Sequence, residues 1–121
     1  MKSKLTVAII GAGSSYTPEL IDGFLTLDPV RLPVSEFRLF DLDPARLAVM
    51  ASLAQRMVRR CGHAAAVKSH SRLEDALEGV DFVITQIRVG GMQARWLDES
   101  IPLKYGILGQ ETTGQIGRAH V

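Results

Sequence analysis

Cysteine is almost missing from this sequence. Cys61 stands alone among 121 residues, so neither an intramolecular disulfide framework nor a thiolate cluster for zinc can form. A charge of one sign is missing as well. Lys and Arg number 14 against 13 Asp and Glu, a formal net of +1. A chain built to coat nucleic acid would carry a clustered basic excess. No apolar run approaches the ~20 residues that span a bilayer. Nucleic acid and membrane are therefore not expected as partners. What is present is ordinary for a globular protein: 46% apolar and 22% charged residues. The length suits one compact domain.

Met1-Lys2-Ser3-Lys4 followed by Leu5–Ile10 resembles the start of a secretory signal. The apolar core is short, however, and runs directly into Gly11-Ala12-Gly13-Ser14. A buried parallel strand accounts for the same residues better. The expected location is the cytoplasm, with Cys61 reduced.

The rest of the chain alternates. Leu5–Ile10 reads as a strand, and Thr17-Pro18-Glu19 as a helix start with Thr17 as the cap. Leu20, Ile21, Phe24 and Leu25 give that helix an apolar face, and Asp28-Pro29 stops it. Phe37–Phe40 is a second strand. Asp43-Pro44 opens a second helix whose face carries Leu47, Met50, Ala51, Ala54, Met57 and Val58. Ala65–Lys68 is a weak third strand, and Ser71-Arg72-Leu73-Glu74 a capping box for a short helix closed by Gly79. Val80–Ile84 is a fourth strand, apolar except for Asp81. Strand and helix in turn imply an α/β fold, a Rossmann-like parallel sheet with flanking helices.

The glycines between the first strand and first helix have a chemical use. The chain must turn sharply there, and its backbone must come close to a pyrophosphate at the helix start. A third glycine is usual three residues on, where this chain has Tyr16. Asp41 ends the second strand, where an acid can accept both adenosine ribose hydroxyls of NAD and repel the 2′-phosphate of NADP. Either Asp41 or Asp43 could cap the next helix. Asp43 has the better claim, which leaves Asp41 for the ribose. The segment after the fourth strand carries Arg88, Arg95, Lys104 and Glu111 among glycines and threonines. Such a mixture suits an anionic, hydroxyl-rich ligand. Arg95 could equally pair with Asp98 or Glu99 one helical turn away.

Three stretches, Gly11–Leu20, Gln86–Gly91 and Arg95–Gly114, closely resemble the amino-terminal region of glycoside hydrolase family four, and within it the 6-phospho-β-glucosidase branch. The likeness runs from about Lys4 to Gly114, and the loop with Tyr16 resembles that family's own. The resemblance implies NAD and a divalent metal, usually manganese, as cofactors, and a phosphorylated β-glucoside as substrate. It implies oxidation at C3, proton removal from C2 by a tyrosine, loss of the aglycone from C1, and water addition. The family is an exception to two-carboxylate glycoside hydrolysis. Residue by residue it implies Gly11, Gly13, Ser14 and Ser15 for the pyrophosphate and Asp41 for the ribose. Arg88 goes with the cofactor, Arg95 with the substrate phosphate, and Glu111 with tuning the tyrosine base. The metal ligands and that tyrosine belong further along the family's sequence. Tyr16 and Tyr105 are not the base. Cys61, His63 and His70 are expected at a helix end, loop and strand away from the ligand crevice.

The expected reading is thus an amino-terminal portion, inactive alone, of a longer homo-oligomeric enzyme. Residues 1–114 would form an incomplete NAD-binding domain. Ile116–Val121 is what the opening of a common sequencing adapter encodes before a stop, so residues 115–121 are expected to be read-through. The alternatives are a relative acting on α-glucosides, 6-phospho-α-glucosides or α-galactosides, or an NAD-binding module without catalysis.

Overall fold

The structure, a computed structural model, describes residues 4–87 and 91–108. The chain divides into two compact units, residues 1–87 and 88–121. In the first, β1 (Leu5–Ile10), α1 (Thr17–Leu25), β2 (Val34–Phe40), α2 (Pro44–Arg60), β3 (Ala66–His70), α3 (Leu73–Leu77) and β4 (Phe82–Thr85) alternate. The four strands lie in the order β3-β2-β1-β4, every neighbouring pair parallel. This is the Rossmann-like sheet with flanking helices that the alternation implies.

The burial pattern explains the strands. Val7, Ala8 and Ile9 of β1 are buried in succession, as a strand covered on both faces requires, and Phe37 and Leu39 of β2 are buried beside them on one face. Val7, Ile9, Phe37 and Leu39 each contribute roughly 1.5–3 kcal/mol by leaving water. Phe24 of α1 meets Phe37 edge-on at 5.4 Å. The α2 face buries Leu47, Ala51, Ala54 and Val58, while Met57 is half-buried against the same core. Asp43 caps α2, its carboxylate accepting from the Ala45 and Arg46 amides at 3.0 and 3.2 Å. At the other end of β2, Glu36 is bound by Lys68 at 2.8 Å and by Arg38. Arg38 also donates to the Glu78 carbonyl just past α3.

Several local expectations move. β2 begins at Val34, three residues early, because Val34 is paired with Leu5 and buried. β3 runs on to His70, in register with Phe40. β4 starts at Phe82 because Asp81 is held at its mouth, its amide on the Thr6 carbonyl at 2.9 Å and its carboxylate on the Thr6 amide at 2.8 Å. The box at Ser71–Glu74 does not form. The helix starts at Leu73, its N-cap is Arg72, and no side chain caps it. Ser71 thus lies one residue too early.

The second unit contributes α4 (Gly91–Leu103), a helix that the sequence pattern did not announce. Met92, Trp96, Leu97, Ile101 and Leu103 are exposed along it, so it lacks the single buried stripe by which helices are read.

Candidate functional site

The loop from Gly11 to Tyr16 leaves the carboxyl end of β1 and enters α1. Its shape is fixed by neighbouring strands. The Gly11 and Ala12 amides both donate to the Phe40 carbonyl at 2.9 Å. Gly11 has φ +86°, and a Cβ there would lie 2.5 Å from the Gln86 carbonyl oxygen. No other residue fits that backbone or that gap.

The second glycine is set by an acid. The Gly13 amide donates to Asp41 Oδ2 at 2.8 Å, and a Cβ on Gly13 would sit 2.7 Å from the same oxygen. Asp41 Oδ1 accepts from the Asp43 amide at 2.8 Å. Asp41 is therefore not left idle by the capping role of Asp43. It braces the loop and the turn into α2 at once. Each carboxylate oxygen still has acceptor capacity, since it takes only one of these bonds.

Thr17 does not cap α1. The N-cap is Tyr16, without a side-chain bond, and Thr17 is fully buried. Its hydroxyl donates to the Ala12 carbonyl at 2.7 Å and accepts from Gln86 Nε2 at 2.7 Å. The Ser14 hydroxyl oxygen accepts from the Tyr16 amide at 3.2 Å, and the Ser14 carbonyl from the Thr17 amide at 3.1 Å. Within the loop, the Ser15 amide alone has no partner among the described residues. That amide and the Ser14 and Ser15 hydroxyls lie just ahead of a helix start without a side-chain cap. The arrangement can accept an anion, and Asp41 beside it can accept hydroxyls.

Asp41 also borders a hollow of about 490 Å³ with Leu42, Pro44, Leu47, Ala48, Ser69, His70 and Ser71. His70 ends β3 at the same carboxyl-end edge as Asp41, so the expectation that puts it away from that edge is wrong for this residue. Its Nε2 is buried without a partner among the described residues. His63 lies at the opposite, amino-end edge, where its Nδ1 accepts from the Ala65 amide at 3.1 Å. With Lys4 and the exposed Cys61 it lines another hollow of about 690 Å³. Among the described residues no group of three or more His, Cys, Asp or Glu could hold a metal ion. The described residues therefore do not fit a manganese site.

The structure thus brings together Gly11, Gly13, Ser14, Ser15 and Asp41. Arg95 belongs to α4 in the second unit, where its Nε meets Glu99 Oε2 at 3.3 Å across one helical turn. Arg88 and Glu111 lie outside the described residues. Thr17 and Gln86 are the members whose part in the site the pattern did not reveal. A threonine ahead of a proline reads locally as a cap, and its true partner is 69 residues away.

Residues 6–120 match the family described as Family 4 glycosyl hydrolase. The 6-phospho-beta-glucosidase of Escherichia coli is 47% identical over 97% of this chain and 26% of its own length. The 6-phospho-alpha-glucosidase 1 of Lacticaseibacillus paracasei is 38% identical, again over 97% of this chain and 26% of its own length. The solved 6-phospho-beta glucosidase of Thermotoga maritima, with manganese, NAD+ and glucose-6-phosphate, superposes with a TM-score of 0.80 at 38% identity. That superposition covers 93% of this chain and 27% of the solved one. The chain spans about a quarter of the length of the relatives it matches.

Proposed function

Because the chain belongs to family 4 of the glycosyl hydrolases, we propose that it supplies the dinucleotide-binding part of an NAD- and divalent-metal-dependent 6-phospho-β-glucosidase. One observation carries the reading: a carboxylate, Asp41, is bonded to the second glycine of a loop that enters an uncapped helix. The Thermotoga relative was solved with NAD+ at 38% identity, which supports the choice of ligand.

In this reading the Ser15 amide and the Ser14 and Ser15 hydroxyls donate to the pyrophosphate. Gly11 and Gly13 let the backbone come close. Asp41 accepts the ribose hydroxyls while keeping its bond to Gly13, and its charge rejects a 2′-phosphate. NAD, when bound, takes up and returns a hydride at the sugar. Arg88 is assigned to the cofactor, Arg95 to the substrate 6-phosphate, and Glu111 to tuning the tyrosine base, all three on the family likeness. A phosphorylated sugar and a dinucleotide are both charged and cross membranes poorly, which supports a cytoplasmic site of action. The homo-oligomeric state rests on the family likeness.

Residues 1–114 make up the NAD-binding portion in this proposal, and residues 115–121 are adapter read-through. The family match extends to residue 120, so the tail reading rests on the codon string alone. Sequencing the source DNA past the Gly114 codon tests it, and genomic sequence encoding the same tail would refute it.

Titration of the chain with NAD and NADP tests the cofactor. Saturable NAD binding at least tenfold tighter than NADP is expected. Equal affinities would remove the role of Asp41. Assay of the enzyme carrying this sequence on 6-phosphorylated α- and β-glucosides tests the anomer. The 38% identity to a 6-phospho-α-glucosidase makes the α-anomer the competing substrate.

A further inference from the structure

The first unit buries its polar side chains sparingly, yet Thr17 is wholly enclosed. Its hydroxyl is used twice, donating to the Ala12 carbonyl and accepting from the Gln86 side-chain amide. Ala12 is itself fully buried in the middle of the phosphate loop. Gln86 follows the last residue of β4. Its amide donates to the Ile10 carbonyl at 2.9 Å, and its own carbonyl fills the space that a Gly11 side chain would need. One residue at the end of β4 therefore touches the chain before, inside and after the loop.

We propose that Thr17 and Gln86 form a positioning latch that holds the phosphate loop in its binding shape against the end of β4. The chemistry favours this over general packing. A valine at position 17 would fill the same volume, whereas a buried hydroxyl serves only where both its hydrogen-bonding capacities are met. Both are met, by partners from two different segments. Without the hydroxyl the Ala12 carbonyl loses its donor, and the Gln86 amide loses its acceptor. The loop can then shift relative to Asp41, and the Ser15 amide moves with it. The latch rests on the dinucleotide reading for its purpose but not for its existence.

The test uses four variants of the chain: Thr17→Val, Thr17→Ser, Gln86→Met and the double variant Thr17→Val/Gln86→Met. Two readouts are taken. The first is amide hydrogen exchange of residues 11–16 without ligand, and the second is the Kd for NAD. Thr17→Val and Gln86→Met should each speed exchange across the loop and raise the Kd about tenfold, or ~1.4 kcal/mol. Thr17→Ser should restore both to within about twofold of the parent. The double variant should be no worse than either single one, because the two groups act as one unit. Unchanged loop exchange in Thr17→Val, or additive effects in the double variant, would overturn the latch. A parent chain that binds no NAD would overturn the dinucleotide reading, while the exchange data would still decide the latch. Faster exchange with an unaltered Kd would reduce the pair to a structural role and refute positioning.

Discussion

Two helices begin at the same edge of the same sheet, and they begin differently. α2 carries its own anion. Asp43, in extended geometry at φ −97° and ψ 103°, closes the first amides with its carboxylate. α1 has no such group. Its N-cap, Tyr16, is already helical at φ −80° and ψ −12° and makes no side-chain bond. A helix start that is satisfied from within has little to offer a ligand, whereas one left open attracts negative charge. The difference lies in one residue type at one position, and in the proposed reading it decides which of two neighbouring helices would face a phosphate. Asp41 stands between them, bonded to Gly13 on one side and to the Asp43 amide on the other.

The largest effect expected from disturbing this contrast comes at Gly11. Gly11→Ala puts a Cβ against the Gln86 backbone at a positive φ, and should lower stability by about 3 kcal/mol in a denaturant melt. A loss below 1 kcal/mol would mean that the end of β4 yields easily. Gly13→Ala comes next. The fold should survive, but the Asp41 carboxylate must swing away, and NAD affinity should fall on the order of 100-fold, about 2.7 kcal/mol, by calorimetry. The two acids then separate the two helix starts. Asp41→Asn should weaken NAD roughly tenfold and narrow its advantage over NADP. Asp43→Ala should cost about 1 kcal/mol of stability and leave the Kd within twofold. If Asp43→Ala weakened binding as much as Asp41→Asn, the division between a ligand-facing start and a self-capped one would be lost.

The smallest effect lies at the far end of β2. Lys68 first, then Arg38, holds the Glu36 carboxyl below the usual value of 4.5, against the opposing pull of burial. A folded-state pKa below the unfolded one means that Glu36 stabilises fully above the unfolded value. The contribution fades as pH falls from about 4.5 through the lower folded value. Glu36→Gln should flatten this part of the stability–pH curve, by no more than about 1 kcal/mol, and leave the loop untouched.

What was legible in the sequence was what neighbours in the chain decide. The alternation of apolar runs and amphipathic segments points to the sheet, and Asp43-Pro44 announces α2. Gly11, Gly13 and Asp41 were identifiable from their order along β1, the turn and β2. Contacts between distant segments were not. Thr17 reads as a cap beside Pro18 and becomes a buried tie only because Gln86 arrives from β4. Ser71 reads as a cap until the arrival of β3 at His70 moves the helix start by one residue. His70 reads as remote because the apolar pattern of the third strand ends at Lys68, and two more residues carry it to the edge where Asp41 lies. α4 stayed hidden because its apolar residues surround it.

The bond between Gly13 and Asp41 has a kinetic consequence. The loop is held in shape by the protein's own carboxylate before any ligand arrives, so its ordering entropy is met during folding and not at each encounter. In the proposed reading a dinucleotide would meet a finished cradle, and its association should run at a rate set by diffusion and orientation, with no slow closing phase. Variants that loosen the loop should then differ mainly in residence time. In the proposed reading, a cofactor that is reduced and then restored within one turnover would stay bound through the cycle by leaving slowly.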